Sequence, residues 1–124
     1  MTRLSSQAQE FREAYQISNS NQLQVRSRQR NLITEEFKEF LEAEATLYLS
    51  AKKNKADCLK ELADLVYVCY QYAENMGWFL DEALHRVHQS NLSKLGEDGE
   101  PIYREDGKVL KGPNYAPPSL EDLF

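Results

Sequence analysis

Hydrophobic residues recur at intervals of three and four positions as far as about residue 91, which is the spacing of amphipathic helices. The pattern predicts four helices, at about residues 1–18, 21–50, 57–76 and 81–91. Polar runs at residues 18–21 and 52–55 separate the first three. Gly77 is expected to end the third, because glycine readily adopts the left-handed backbone found at helix C-termini. We therefore expect an all-α fold whose four-helix core covers about residues 4–91.

The segment after residue 91 has a different composition, since it holds four of the five glycines and all four prolines. Residues 101–104 and 108–110 flank the turn-forming residues 105–107, which predicts a short β-hairpin. Residues 113–124 are expected to form an extended tail. The sequence thus predicts one domain over residues 1–124, with a C-terminal hairpin and tail from about residue 92.

The composition of the chain argues against two classes of binding partner, nucleic acids and membranes. The chain has 124 residues and a net charge of −5, which disfavours nonspecific binding to nucleic acid or anionic membranes. Its longest apolar-rich run, at residues 62–72, is too short to span a bilayer, and no signal peptide is visible. Cys58 and Cys69, on one predicted helix, would lie about 16 Å apart, too far for a disulfide. We expect a cytoplasmic protein with reduced thiols and no membrane or nucleic-acid partner.

Two pairs of acids occupy positions that border the apolar sides of their helices. Glu36 and Glu39 continue a stripe that begins with Val25 and Leu32, and Glu61 and Asp64 flank the apolar side of the third helix. The stripe of the second helix runs through Val25, Gln29, Leu32, Glu36, Glu39 and Ala43. Residues three apart share a helix face, so two adjacent helices would direct four carboxylates at one point. Such a cluster is tolerated when it is protonated, well solvated or shared by a cation.

Carboxylate oxygens suit Mg²⁺, Mn²⁺ or Ca²⁺ rather than zinc, so the four acids predict a divalent-metal site between the second and third helices. The acids of the second helix alone are more simply explained as solvated helix surface, because glutamate is common in helices. The combination favours the metal site. A turn at residues 52–55 would nevertheless leave the two acid pairs offset by about 9 Å along the helices.

The arrangement of these acids resembles a known signature. Glu35-Glu36-x-x-Glu39, followed after 21 residues by Glu61-x-x-Asp64, resembles the motif of the all-α nucleoside triphosphate pyrophosphatases. That superfamily includes MazG-like proteins, dimeric dUTPases, dCTP pyrophosphatases and phosphoribosyl-ATP pyrophosphohydrolase. Residues 88–94 and 106–113 resemble the C-terminal part of small, single-repeat members, including phage-encoded ones. The resemblance extends from about residue 30 to residue 118 and implies one MazG-like domain.

The resemblance also implies roles for individual residues. The implied metal ligands are Glu36, Glu39, Glu61 and Asp64, with Mg²⁺ as the expected ion and Mn²⁺ as the alternative. Glu35 is implied to be a further acid of the catalytic site, either as a ligand of a second ion or as the group that orients the attacking water. The implied contacts with the sugar or phosphates of the substrate are Asn91, Lys94, Lys108 and Lys111.

The implied activity is a Mg²⁺-dependent hydrolysis of a nucleoside triphosphate between the α and β phosphates, giving a nucleoside monophosphate and pyrophosphate. Hydrolysis of phosphoribosyl-ATP or of the alarmone ppGpp on the same scaffold is an alternative. A non-catalytic helical interaction protein, whose acids are merely surface groups, is another. Members of the superfamily assemble as dimers or tetramers, which implies an oligomeric helical bundle formed by a homodimer or homotetramer.

Overall fold

The computed structural model describes residues 3–124 and contains four α-helices. They are α1 (Leu4–Ala14), α2 (Leu23–Glu44), α3 (Lys52–Met76) and α4 (Leu80–Leu92). No β-sheet forms within residues 3–124, so the all-α prediction is confirmed. None of the helices in this part of the chain combines the length and the apolarity needed to cross a membrane. The predicted start of the first helix, at residues 1 and 2, lies outside the described residues.

Internal contacts divide the chain into a first unit that ends at Phe79 and a second unit, Leu80–Phe124. The first unit contains α1, α2 and α3, and its main contact is between α2 and α3, which form a helical hairpin. The second unit contains α4 and the C-terminal segment. Each unit therefore has its own internal packing. The assignment of all 124 residues to one domain stays a prediction.

The connection between α2 and α3 lies earlier in the chain than the polar pattern indicated. α2 ends at Glu44, a short 3₁₀ helix spans Leu47–Leu49, and α3 already begins at Lys52. The run at residues 52–55, which was expected to be the turn, is the first turn of α3. Lysine is a good helix former, so a cluster of lysines does not by itself interrupt a helix. The physical break is at Ser50, whose backbone is left-handed with φ 47°.

This earlier turn brings the two acid motifs closer to opposite positions. Ser50 is midway in sequence between Glu39 and Glu61, and it lies in the connection itself rather than before it. Thr46 closes the end of α2 and accepts a hydrogen bond from the side chain of Asn54, in the first turn of α3, at 3.2 Å. The offset expected from a turn at residues 52–55 is therefore largely removed.

A buried arginine joins α1 to the rest of the first unit. Arg12 is only 3% exposed, and its guanidinium donates to side chains from the following loop and from both other helices of the unit. The side-chain acceptors are Asn19 at 2.6 Å, Asn75 at 3.1 Å, Gln71 at 3.2 Å and Gln29 at 3.4 Å. Burial lowers the pKa of Arg12, and the nearby charge of Glu74 opposes that shift. These bonds fix α1 against the C-terminal half of α3.

In the second unit the chain folds back onto α4. Ser93 donates to the carbonyl of Ser90 at 2.6 Å and its hydroxyl accepts from the amide of Ala116 at 3.0 Å. The guanidinium of Arg86 donates to both carboxylate oxygens of Asp122, at 2.6 and 3.1 Å. The tail expected at residues 113–124 is thus anchored to α4 at two points.

The predicted β-hairpin does not form as two strands. Within the described residues the segment contains one isolated antiparallel bridge, between Tyr103 and Val109, around a turn that includes Gly107 at φ 88°. Two short strands with no third strand to pack against are at best marginally stable, and Pro101 has no amide hydrogen to extend the ladder. The turn was correctly located, but the pairing ends after a single bridge.

Candidate active site

Three of the acids predicted from the motif converge between α2 and α3. Glu36 and Glu39 lie one turn apart on α2, and Glu61 faces them from α3. One carboxylate oxygen from each residue lies within 4.8 Å of the others. This spacing is short enough for the three oxygens to share one cation. The geometry follows from the i, i+3 spacing on α2 and from the early turn that sets the register of the hairpin.

Two oxygens in this cluster lack the partners that buried acceptors normally have. The Oε2 atoms of Glu36 and Glu61 are buried and make no hydrogen bond within the described part of the chain. An unsatisfied buried acceptor costs about 1–3 kcal/mol, and more when it is charged. A cation among the three carboxylates would remove that cost. The all-oxygen donor set therefore fits a hard divalent ion.

The protonation of Glu36 reflects the same crowding. Burial raises the pKa of Glu36 above its usual range, a hydrogen bond with Glu39 raises it further, and the negative charges of Glu39, Asp64 and Glu61 act in the same direction. Carboxylates that repel each other in this way bind a proton more readily than isolated ones. A divalent cation would act in the opposite sense, because its charge favours the ionised form.

Asp64 and Glu35, the other two acids of the motif, are not among the three converging residues. Asp64, one turn after Glu61 on α3, lies close enough for its charge to act on Glu36, but it is paired with Lys60 at 2.7 Å. Glu35 is exposed on α2 and is not among the acids of residues 3–124 whose oxygens converge. The structure thus brings Glu36, Glu39 and Glu61 together, with Asp64 adjacent and Glu35 outside.

Lys60 was not singled out from the sequence. Its ammonium nitrogen lies 2.7 Å from Asp64 Oδ2 and 3.5 Å from Glu61 Oε1, so it contacts both acids that α3 contributes. Hydrogen bonding to Asp64 is the largest cause that raises the pKa of Lys60. The signal in the sequence was the i, i+4 spacing of Lys60 and Asp64, which places the two side chains together on one helix face.

The four remaining predicted residues, Asn91, Lys94, Lys108 and Lys111, all belong to the second unit. The amide of Gly112 donates to the carbonyl of Lys94 at 2.7 Å, which holds the backbones of Lys94 and Lys111 close together. A Cβ at Gly112 would lie 2.3 Å from the carbonyl oxygen of Leu95, so this approach requires glycine.

The side chains of these residues have separate surroundings. The ammonium group of Lys111 lies 4.8 Å from the centre of the Tyr115 ring, a cation–π contact that sequence reasoning did not identify. Lys108 lies in the turn near Gly107, where its amide donates to Asp106 at 3.1 Å. Asn91 is exposed in the last turn of α4. The second unit thus presents two neighbouring lysines and a third on the adjacent turn.

Two acids of the second unit, Asp122 and Asp106, are paired with arginine. Asp122 accepts both hydrogen bonds from Arg86, and this contact is the main cause that lowers the pKa of Asp122. Asp106 is paired with Arg104, and hydrogen bonding from that guanidinium lowers the pKa of Asp106. Pairing with a basic residue is the ordinary arrangement of surface carboxylates. The cluster between α2 and α3 differs, because its carboxylates lie next to one another.

Comparison with known protein families assigns the chain. The profile of the family described as phosphoribosyl-ATP pyrophosphohydrolase matches residues 3–91, which span α1 to the last turn of α4. The match includes the acids of the motif on α2 and α3, namely Glu35, Glu36, Glu39, Glu61 and Asp64. The chain belongs to this family, which is part of the MazG-like all-α nucleoside triphosphate pyrophosphatase superfamily, so the resemblance drawn from the motif is confirmed. It is a pyrophosphohydrolase, a hydrolase that acts on phosphoric anhydrides. A sequence comparison with curated proteins found no match.

Proposed function

We propose that the protein hydrolyses the anhydride between the α and β phosphates of a nucleoside triphosphate, using Mg²⁺ or Mn²⁺ held by the acids between α2 and α3. The proposed ligands are Glu36, Glu39, Glu61 and Asp64. One observation carries the proposal. In a chain of a pyrophosphohydrolase family, three carboxylates converge to within 4.8 Å, and two of them have buried oxygens without a hydrogen-bond partner in the described residues. Such an arrangement is costly unless a cation completes it.

The bound cation would neutralise negative charge on the phosphate oxygens of the substrate. Glu35 is next to Glu36 on α2 and is exposed, so its carboxylate is free to orient the attacking water and to accept its proton. Asn91 would contact the sugar or a phosphate by hydrogen bonds. The ammonium groups of Lys94, Lys108 and Lys111 would hold the phosphate chain by charge-assisted hydrogen bonds.

Two substrates carry the same scissile bond and fit this chemistry. The acidic motif favours canonical or modified nucleoside triphosphates, including deoxynucleotides. The family profile favours phosphoribosyl-ATP, which is also cleaved between its α and β phosphates. Because hydrolysis of either substrate releases pyrophosphate, the acids alone do not distinguish between the two.

The unpaired Cys58 and Cys69 and a nucleotide substrate agree with a cytoplasmic location.

The experiment is a hydrolysis screen over ribonucleotides, deoxynucleotides, phosphoribosyl-ATP and ppGpp, with Mg²⁺ or Mn²⁺ and with chelator. Products are identified by chromatography. We expect a monophosphate and pyrophosphate in equal amounts from at least one triphosphate, and none when the chelator is present. Metal-independent hydrolysis, release of orthophosphate in place of pyrophosphate, or no hydrolysis of any compound would contradict the proposal.

An exposed apolar surface supports self-association. The first unit leaves several large side chains of α3 in contact with solvent, and they line an apolar groove of about 420 Å³ between α1 and α3. The more exposed of these are Leu59 (67%), Leu62 (42%) and Val66 (42%). Contiguous apolar surface of this kind usually marks an interface. We therefore propose a homodimer or homotetramer whose contact includes this groove.

Light scattering coupled to size-exclusion chromatography would measure the assembly. We expect the wild-type protein to have at least twice the mass of one chain, and Leu62→Lys to shift the mass towards the monomer. Glu42→Lys, on the exposed side of α2, introduces the same residue away from the groove and should leave the mass unchanged. A wild-type monomer, or equal masses for wild type and Leu62→Lys, would contradict this arrangement.

A further inference from the structure

Lys60 places a positive charge of the protein's own among the acids of the proposed metal site. Its Nζ atom lies 2.7 Å from Asp64 and 3.5 Å from Glu61. The contact to Glu61 is made through Oε1, whereas Oε2 of the same carboxylate is buried without a hydrogen-bond partner in residues 3–124. The ammonium group of Lys60 thus contacts two of the four acids, so it compensates only part of the charge of the cluster.

The ammonium group of Lys60 can move away from Asp64 and Glu61 into solvent. Its side chain is 66% exposed, and four rotatable methylene groups allow the ammonium group to swing into solvent without any change in α3. Exposed ion pairs of this kind are weak, contributing less than about a fivefold change in an equilibrium constant. A divalent cation carries twice the charge and can contact several oxygens at once, so it would displace the ammonium group.

We propose that Lys60 is a tethered competitor of the divalent cation: it occupies Asp64 and Glu61 when no metal is bound and releases them when the metal binds. The inference rests on the proposed metal site. Lys60 would therefore lower the repulsion within the metal-free cluster and weaken metal binding by the same interaction. It sets the concentration at which the site fills, without being a ligand of the metal.

A purely structural ion pair makes a different prediction. If Lys60 served only as an i, i+4 partner on the surface of α3, its removal would change helix stability slightly and leave metal affinity unchanged. The test therefore has to measure metal binding itself, separately from catalysis and from folding.

The experiment compares Mn²⁺ dissociation constants of the wild-type protein, Lys60→Met, Lys60→Arg and Lys53→Met, using electron paramagnetic resonance of free Mn²⁺. Methionine keeps the length and helix propensity of lysine but removes its charge. Lys53 is exposed on the same helix, about 10 Å before Lys60 along the axis, and is the matched control for net charge.

We expect Lys60→Met to bind Mn²⁺ about three- to fivefold more tightly than wild type at low salt, with a smaller difference at high salt because the competing charge is screened. Lys60→Arg and Lys53→Met should stay within about twofold of wild type. Without metal, Lys60→Met should melt at a lower temperature than Lys53→Met. Added Mn²⁺ should raise the melting temperature of Lys60→Met by more than that of Lys53→Met.

Equal or weaker Mn²⁺ binding by Lys60→Met than by Lys53→Met would overturn the competitor role while leaving the metal site in place. If no variant binds Mn²⁺, the proposed metal site fails, and the inference fails with it. Metal binding by wild type therefore tests the site, and the ratio between the two methionine variants tests Lys60.

Discussion

The acids between α2 and α3 and the acids of the C-terminal segment are held in opposite ways. In the C-terminal segment, Asp122 accepts two hydrogen bonds from Arg86, and that guanidinium lowers the pKa of the aspartate. Between α2 and α3, Glu36 is surrounded by other acids, and burial together with their charges raises its pKa. The surroundings of Asp122 stabilise its ionised form, and the surroundings of Glu36 destabilise its ionised form.

The difference indicates what each set of acids is for. A carboxylate paired with arginine contributes to holding the tail in place. Carboxylates crowded together, two of them with a buried oxygen that finds no partner in the described chain, oppose folding unless something else binds them. A carboxylate such as Glu36, whose pKa is raised by burial and by neighbouring acids, is more often found at a functional site than elsewhere. The comparison therefore favours a binding role for the cluster and a structural role for the C-terminal pairs.

The largest expected effect comes from removing one charge of the cluster. Glu39→Gln should lower kcat/KM at least about 100-fold, because it removes a proposed metal ligand while keeping the shape of the side chain. In metal-free buffer the same variant should melt at the wild-type temperature or above it, since it relieves repulsion with Glu36. Steady-state kinetics and thermal unfolding measure the two effects.

Glu42→Gln is the matched control for this variant. Glu42 is an exposed acid on the same helix and is not one of the converging carboxylates. The kcat/KM of Glu42→Gln should stay within about twofold of the wild-type value. Comparable losses in Glu39→Gln and Glu42→Gln would show that the charge of α2 matters generally, and the comparison between the two regions would lose its basis.

The second effect is a pH dependence of opposite sign in the two regions. The pKa of Glu36 is raised in the folded protein, so the metal-free protein loses stability as the pH rises through the range between the usual and the raised value. Glu36→Gln should remove that loss, and its advantage in melting temperature over wild type should therefore grow with pH.

Asp122 should behave in the reverse manner. Because its pKa is lowered by Arg86, its contribution to stability is present above the usual pKa of an aspartate and disappears as the pH falls through the lowered value. Asp122→Asn should therefore resemble wild type most closely at low pH. Melting curves of wild type and both variants between about pH 2 and pH 8 test both signs. If the melting temperatures of all three proteins changed with pH in the same way, the pKa shifts given for Glu36 and Asp122 would both be refuted.

The smallest effect is local. Asp122→Asn breaks the ion pair with Arg86 at the surface, so amide hydrogen exchange should accelerate in residues 116–124 and remain unchanged in α2 and α3. Glu97→Gln, an exposed acid of the same unit, should leave exchange in the tail unaltered. Exchange measured by mass spectrometry resolves these segments. Equal exchange in the tail of both variants would mean that Arg86 does not anchor it.

The number of helices and most of their extent could be predicted from hydrophobic spacing, but the turn between α2 and α3 could not. The stretch around Leu47 is apolar and looked like more helix, whereas the lysines at residues 52–55 looked like a turn. In the structure the first forms a 3₁₀ helix and the second begins α3. Polarity marks exposure to solvent, and exposed lysines are compatible with a helix.

The candidate site was partly accessible from the sequence. The spacing of Glu36, Glu39 and Glu61 placed them on facing helices, and the structure brings their oxygens together, while their role as metal ligands stays a prediction. Lys60 was missed because a lysine one turn before an aspartate is common on solvated helices. The prediction of a β-hairpin was wrong because the turn signal specifies only the turn, and two short strands need a third strand or a helix to pack against.

Glu36, Glu39 and Glu61 are proposed to hold a divalent cation, so the metal-free protein should bind Mn²⁺ through these acids. Titration followed by electron paramagnetic resonance should show saturable binding to wild type and at least about tenfold weaker binding to Glu61→Gln. Glu42→Gln should bind as wild type does. If wild type binds Mn²⁺ no better than Glu61→Gln, the acids between α2 and α3 do not form a metal site.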